Sequence, residues 1–250
     1  MAVDVSAGLV VIGDEILSGR TQDKNISYLA TWLNEAGIQL KEVRVVPDVE
    51  AEIVAAVNAL RTRYDYLFTT GGIGPTHDDI TVDSIAAAFG VPAVMHEEAF
   101  ARLEAYYGPE NFTPARQRMA RVPQGGELVD NPVSIAPGIN IDNVFILAGV
   151  PKIMQAMLED LRPLLRSGRK VWTQSLTIHA AESKLADGLG ELQRKHAAVS
   201  IGSYPFYHAG VGAQVVIRSP DEGAVADAMA DLQAFCRDNA LSSDGPSAVD

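Results

Sequence analysis

Read for the spacing of apolar positions, the chain shows four short runs of Val, Ile, Leu and aromatic residues that do not alternate with polar ones: 8–12, 40–46, 66–70 and 143–147. Runs of this kind predict strands covered on both faces. Between them the spacing becomes helical. Residues 25–36 put Ile26, Leu29, Trp32 and Leu33 on one stripe and stop at Gly37, and 50–61 repeats the pattern with Ile53, Val54, Val57 and Leu60. A third helix is predicted over 81–89, ending at Gly90, and a fourth over 151–165. Strands alternating with helices predict an α/β fold: a three-layer, doubly wound, mostly parallel sheet. Near 167–169 the rhythm changes to strand (171–178), helix (181–195), two strands (199–205 and 212–217) and helix (222–236). The expected division is an α/β domain over 1–167, a second, smaller α+β domain over 168–241, and a disordered polar tail over 242–250.

Charge narrows the partners. The formal net charge of −12 disfavours nucleic acid and anionic membrane surfaces. A phosphate site in such a chain has to rely on backbone N–H groups, a few basic side chains or a metal ion. The single cysteine, Cys236, excludes an internal disulfide and a cysteine-rich metal site. The first five residues lack the basic region of a signal peptide, and no apolar run is long enough to span a bilayer. The expectation is a soluble, cytoplasmic protein.

In an open sheet of this kind ligands bind beyond the carboxyl ends of the strands. The turns expected there are Gly13-Asp14-Glu15, Pro47-Asp48, the stretch from Gly71 to Asp79, and Gly149-Val150-Pro151. The third carries the most chemistry. Gly71, Gly72 and Gly74 allow the backbone to turn its N–H groups toward an anion, the next helix aims its N-terminus at the same place, and Thr69, Thr70 and Thr76 add hydroxyls. The stretch is neither a P-loop nor a GxGxxG loop. Its plain alternative is a strand-to-helix turn capped by Asp79, with Thr81 in the first helical turn. Capping accounts for one of Asp78 and Asp79, and two adjacent carboxylates beside a phosphate suit Mg²⁺. Asp14, Glu15 and Asp48 add acid to the same edge, although Asp48 after Pro47 is also an ordinary turn residue. Of the five histidines only His77 lies in the loop. Arg116, Arg118 and Arg121 form a short basic stretch suited to phosphate or to a solvated helix face.

Taken together, Gly13-Asp14-Glu15-Ile16-Leu17-Ser18-Gly19, Asp23-Lys24-Asn25, Val46-Pro47-Asp48, Thr70 through Thr81, Asn131-Pro132-Val133, Ala136-Pro137-Gly138 and Gly149-Val150-Pro151 resemble the MoaB/Mog molybdopterin-binding domain family, in its CinA-like branch (competence/damage-inducible protein A). Residues 181–183 and 199–205 resemble the small KH-like domain that follows in that branch. A full-length CinA would continue into a deamidase domain; this sequence stops before it, so that activity is not expected. Four residues depart from the branch: Ser134-Ile135 where Gly-Thr is common, Ala148 where proline is usual, and His179 where glycine is frequent. The resemblance implies a ligand site formed by Gly13, Asp14, Glu15, Asn25, Thr70, Gly71, Gly72, Gly74, Pro75, Thr76, Thr81, Pro137, Gly138, Gly149 and Pro151. It implies Asp48 and Asp79 as catalytic residues, with Asp78 and Asp79 facing a divalent metal, Mg²⁺ in the first instance. The expected ligand is a phosphorylated pterin or nucleotide, and the expected chemistry metal-dependent cleavage of an ADP-ribose-like or FAD-like pyrophosphate. The alternatives are a molybdopterin-binding or adenylylating protein of molybdenum cofactor biosynthesis, and a non-catalytic scaffold. A homo-oligomer, dimer or trimer, is implied. From residue 168 onward the net charge is −3 with no basic GXXG loop, so RNA is not expected despite the KH-like resemblance.

Overall fold

The computed structural model describes residues 4–207 and 210–248, which divide into two compact units after Gly168. The first is built on β1 (Val5–Ile12), β2 (Ile38–Val46), β3 (Tyr66–Thr70), β6 (Glu127–Val129), β7 (Gly138–Ile141) and β8 (Val144–Leu147), in the spatial order β2-β1-β3-β8-β7-β6. Its helices are α1 (Asp14–Leu17), α2 (Asn25–Glu35), α3 (Glu50–Arg61), α4 (Thr81–Phe89), α5 (Glu97–Tyr107), α6 (Pro114–Gln117) and α7 (Pro151–Leu161), and β4 (Ala93–Met95) pairs with β5 (Arg121–Pro123) in a separate small sheet. The strands β2, β1, β3 and β8 are mutually parallel; β7 and β6 extend the sheet antiparallel. This is the α/β fold with a mostly parallel sheet that the sequence predicts.

Continuous apolar runs become strands here because both faces are covered. On one face Leu9, Val11, Phe68, Phe145 and Leu147 meet Leu29, Trp32 and Leu33 of α2 and Met154, Met157, Leu158 and Leu161 of α7. On the other, Val10, Ile12, Leu67 and Ile146 meet Ile53, Val57 and Leu60 of α3 and Ile85 of α4. The Phe68 and Phe145 rings stack 5.1 Å apart. α7 ends at Leu161, short of the predicted 165, and a 3₁₀ turn follows over Arg162–Leu164. Pro163 is the cause: it has no N–H to continue the α-helical ladder.

The second unit has β9 (Trp172–Ile178), α8 (Ala186–Lys195), β10 (Ser200–Phe206), β11 (Gly212–Ser219), α9 (Glu222–Asp238) and β12 (Ser247–Ala248). Its sheet is antiparallel in the order β10-β11-β9-β12, and one face packs Leu176, Val215 and Ile217 against Leu192, Val225, Met229 and Leu232. Residues 242–248 of the tail differ from the expectation of disorder. The His179 N–H donates to Ser242 O at 2.8 Å, the Asp244 N–H donates to Thr177 O at 3.0 Å, and β12 pairs with β9. The physical reason is that β9 would otherwise present an unpaired edge. His179 Nε2 and Asp244 Oδ1 lie 2.9 Å apart and fasten the return. His208 lies outside the described residues. Among the described residues no helix is long and apolar enough to cross a membrane.

Candidate functional site

Because β2, β1, β3 and β8 run in parallel, the turns that follow them emerge at one edge, and hydrogen bonds tie them together. The Gly13 N–H donates to Val46 O at 3.1 Å, the Gly71 N–H to Leu147 O at 3.2 Å, and Asn25 Nδ2 to Gly149 O at 2.8 Å. The segments containing Gly13, Asp48, Gly71 and Gly149 thus form one continuous rim.

The loop between β3 and α4 is folded back tightly, which explains its glycines. Gly71 has φ +101°, and a Cβ there would lie 2.1 Å from the Ile12 carbonyl oxygen; at Gly72, φ +65°, it would lie 2.2 Å from Thr81 Oγ1. A Cβ on Gly149 would come within 3.1 Å of Gly71 Cα, so the two turns touch. Ile73 anchors the loop by packing into both core clusters. Thr81 closes it: its N–H donates to Gly72 O at 3.0 Å and its hydroxyl to Gly71 O at 2.9 Å. No side chain caps α4. The start of α4, with the positive end of its dipole, adjoins the loop, the arrangement that favours an anion.

Asp79 does not cap α4. Its Oδ2 accepts the Thr76 N–H at 2.8 Å and the Thr76 hydroxyl, while the Asp79 N–H returns to Thr76 O at 3.3 Å. It is the internal clamp of the loop, and Gly74 leaves room for it, since a Cβ there would meet Asp79 Oδ2 at 2.6 Å. The Thr76-x-x-Asp79 spacing is that of a capping box, the signal in the sequence from which this reciprocal pairing was legible. Asp78, by contrast, is largely exposed. The nearby Thr76 hydroxyl and its own backbone N–H hold its carboxyl below the usual Asp range.

Asp48 is not a helix cap either, because α3 starts without a side-chain cap. Its Oδ2 accepts the Asp14 N–H at 2.9 Å, linking the turns after β2 and β1. Burial pushes the Asp48 carboxyl upward; the Asp14 N–H opposes this, and the charges of Asp14, Glu15 and Asp78 reinforce it. Four carboxylates thus share one electrostatic neighbourhood. Among the described residues no group of three or more His, Cys, Asp or Glu side chains is gathered as a metal cage.

The family profile described as "Probable molybdopterin binding domain" matches residues 8–167, the span that carries this rim. The chain belongs to that molybdopterin-binding domain family. A second profile, described as "FAD synthase, middle domain", matches residues 170–244. A protein of Caldivirga maquilingensis is 37% identical over 209 residues, covering 80% of this chain and 81% of its own length. One from Thermococcus kodakarensis is 35% identical over 235 residues, covering 87% and 92%. Among solved structures, one described as the protein CinA with unknown function from Thermoplasma acidophilum is 35% identical, with a TM-score of 0.61, covering 64% of this chain and 97% of that one.

Within this molybdopterin-binding domain the remaining expected residues divide by position. Asn25 is buried at the start of α2, and its Oδ1, like the hydroxyls of Thr69 and Thr70, has no hydrogen-bond partner among the described residues. Pro151 opens α7 beside Gly149. Pro75 and Thr76 are exposed on the loop, as is His77. Gly138 is explained by packing alone, since a Cβ would meet Ile146 O at 3.0 Å and Met157 Sδ at 3.3 Å. Pro137 precedes it and leads β7 to the same edge at which β8 ends. Asn131, not read from sequence as more than part of a motif, ties the 131–136 turn with bonds to Ser134 Oγ and Ala136 O, both 2.7 Å.

Proposed function

We propose that this chain binds a phosphorylated nucleotide or pterin at the rim between the β3–α4 loop and the turns after β1, β2 and β8, and that it cleaves a nucleotide pyrophosphate there. The observation that carries the binding is the loop itself. A backbone compressed until glycine alone fits at 71 and 72 leads into a helix start that no side chain caps, a pairing suited to an anion. The neighbouring carboxylates favour a cation-assisted reaction over simple binding. Among the described residues no full protein cage for a divalent ion is gathered, but magnesium ordinarily takes one or two carboxylates and completes its shell with water and substrate phosphates. The exposed Asp78 suits that donor set, whereas Oδ2 of Asp79 is engaged by Thr76 and Oδ2 of Asp48 by the Asp14 N–H. When bound, the ion would spread the charge that develops on the phosphoanhydride. Asp48, with raised proton affinity and its carboxylate oriented by the Asp14 N–H, is suited to orient and deprotonate a water.

The pyrophosphate reading draws support from the second unit, whose matching profile is named for FAD synthase, a protein concerned with a dinucleotide pyrophosphate. The second reading, molybdopterin as the ligand with or without adenylyl transfer, draws on the description of the first profile. One experiment separates them. The purified chain is incubated with ADP-ribose, FAD or molybdopterin, with and without Mg²⁺, Mn²⁺ or Co²⁺, while binding and AMP release are followed. Cation-dependent AMP release that Asp48→Asn abolishes supports the first reading. Tight molybdopterin binding without hydrolysis supports the second, and silence on every ligand refutes both.

A further inference from the structure

The acidic rim poses a problem of its own: Asp14, Glu15, Asp48 and Asp78 repel the anion that the loop is shaped to receive. Arg116, Arg118 and Arg121 lie close in sequence to one another, yet the structure uses them differently. Arg116 is occupied away from the loop, with Nη1 on Asn111 O at 2.7 Å and its guanidinium 4.2 Å from the Tyr107 ring. Arg121 makes a bidentate pair with Asp83 in the first turn of α4, at 2.6 and 2.9 Å. Arg118 stands three residues before Arg121, at the start of a 3₁₀ turn over Arg118–Ala120. Arg121 directly follows that turn as the first residue of β5. The Arg121–Asp83 pair staples the turn to α4, and Arg118 reaches the loop with Nη2 on Asp79 O at 3.4 Å. Arg118 has no carboxylate partner among the described residues.

We propose that Arg118 is a phosphate-binding residue, its guanidinium completing from the α4 side the anion site that the glycine loop forms from the other. This rests on the reading of the loop as a phosphate site. One loop carbonyl occupies one of the five donors of the guanidinium, and the planar fork that remains matches two phosphate oxygens. A fixed cation here also offsets the field of the four carboxylates without a change in their protonation. The ligand class it fits is a phosphate or pyrophosphate ester, whose anionic oxygens the guanidinium fork can pair.

The test uses the full chain with two probes, inorganic pyrophosphate and ADP-ribose, binding being followed by titration calorimetry. Arg118→Gln is expected to weaken both by roughly 10- to 100-fold, the loss of a charge-assisted hydrogen bond or two. Arg118→Lys keeps the charge without the fork and is expected to recover part of the affinity and the salt dependence of the wild type. Arg116→Gln, the nearby control, is expected to bind both probes as the wild type does. Undiminished affinity for pyrophosphate in whichever Arg118 variant folds overturns the proposal. A wild-type chain that binds neither probe overturns instead the reading of the loop on which it rests.

Discussion

Gly71 offers the sharpest test of how the loop is built. It is held between two strands: its N–H donates to Leu147 O of β8, and its Cα faces Ile12 O at the end of β1. Gly71→Ala places a methyl 2.1 Å from that oxygen, more than an ångström inside ordinary contact, at φ +101°. Backbone strain costs about 1–2 kcal/mol, overpacking against a fixed carbonyl about 1–3 kcal/mol, and a loosened strand hydrogen bond about 1 kcal/mol. The expected loss is roughly 3–6 kcal/mol, or about 6–24 °C in midpoint for a domain of this size. Gly90→Ala is the matched control. Its φ is +68°, but a Cβ there meets nothing within 4 Å, so only the backbone cost of about 1–2 kcal/mol applies. The chain has two tryptophans, and Trp32 is buried in the first unit, so its fluorescence in a Trp172→Phe background reports that unit alone. Thermal melts of the two variants are compared. If Gly71→Ala melts no lower than Gly90→Ala, the close approach of the loop to β1 is wrong, and the argument for its backbone donors falls with it.

Three further outcomes are expected. Asp48→Asn should stabilise the chain at pH 7 while lowering AMP release. A carboxyl raised in the folded state contributes stability below its unfolded pKa and loses it as pH rises through the folded one. Urea titrations should show the gain shrinking toward about pH 4, and no gain at pH 7 refutes the direction. In a double-mutant cycle, Asp79→Ala and Thr76→Val should couple by about 0.5–1.5 kcal/mol, because the Thr76 hydroxyl is bonded to Asp79 Oδ2. Strict additivity in denaturant melts would remove the clamp. Deleting residues 242–250 should accelerate amide exchange of His179 at least about tenfold, since its N–H is bonded to Ser242 O. Unchanged exchange by mass spectrometry contradicts the pairing of the tail with β9.

The sequence is most informative where burial is two-sided. β3 and the helices α3 and α4 lie where the apolar spacing puts them, since their runs are continuous or strictly periodic and end at turn residues. β1 begins earlier than expected, at Val5, because Ser6 interrupts the apolar run; its hydroxyl and N–H are bonded to Asp65 Oδ2 at 2.8 and 2.9 Å. Between 91 and 142 little is legible. α5 buries only Ala99 and Leu103, and β4, β5 and β6 have three residues each, too short for any period to show. The tail escapes a reading of this kind because a two-residue edge strand of small residues has no hydrophobic period at all.

The carboxylates show where composition and motif give less than geometry. Asp78 and Asp79 are chemically identical neighbours, and by motif position Asp79 is the stronger candidate for metal and chemistry. In the folded loop their environments separate them: Asp79 is engaged by Thr76 and holds the turn, while Asp78 projects outward with its ionised form favoured. Asp48 shows the opposite shift, its charged form disfavoured by burial and by three neighbouring acids. In the proposed reaction the two would divide the work, Asp48 holding the attacking water and Asp78, in its ionised form, meeting the cation. That division of roles is what Asp48→Asn, read by AMP release, puts to the test.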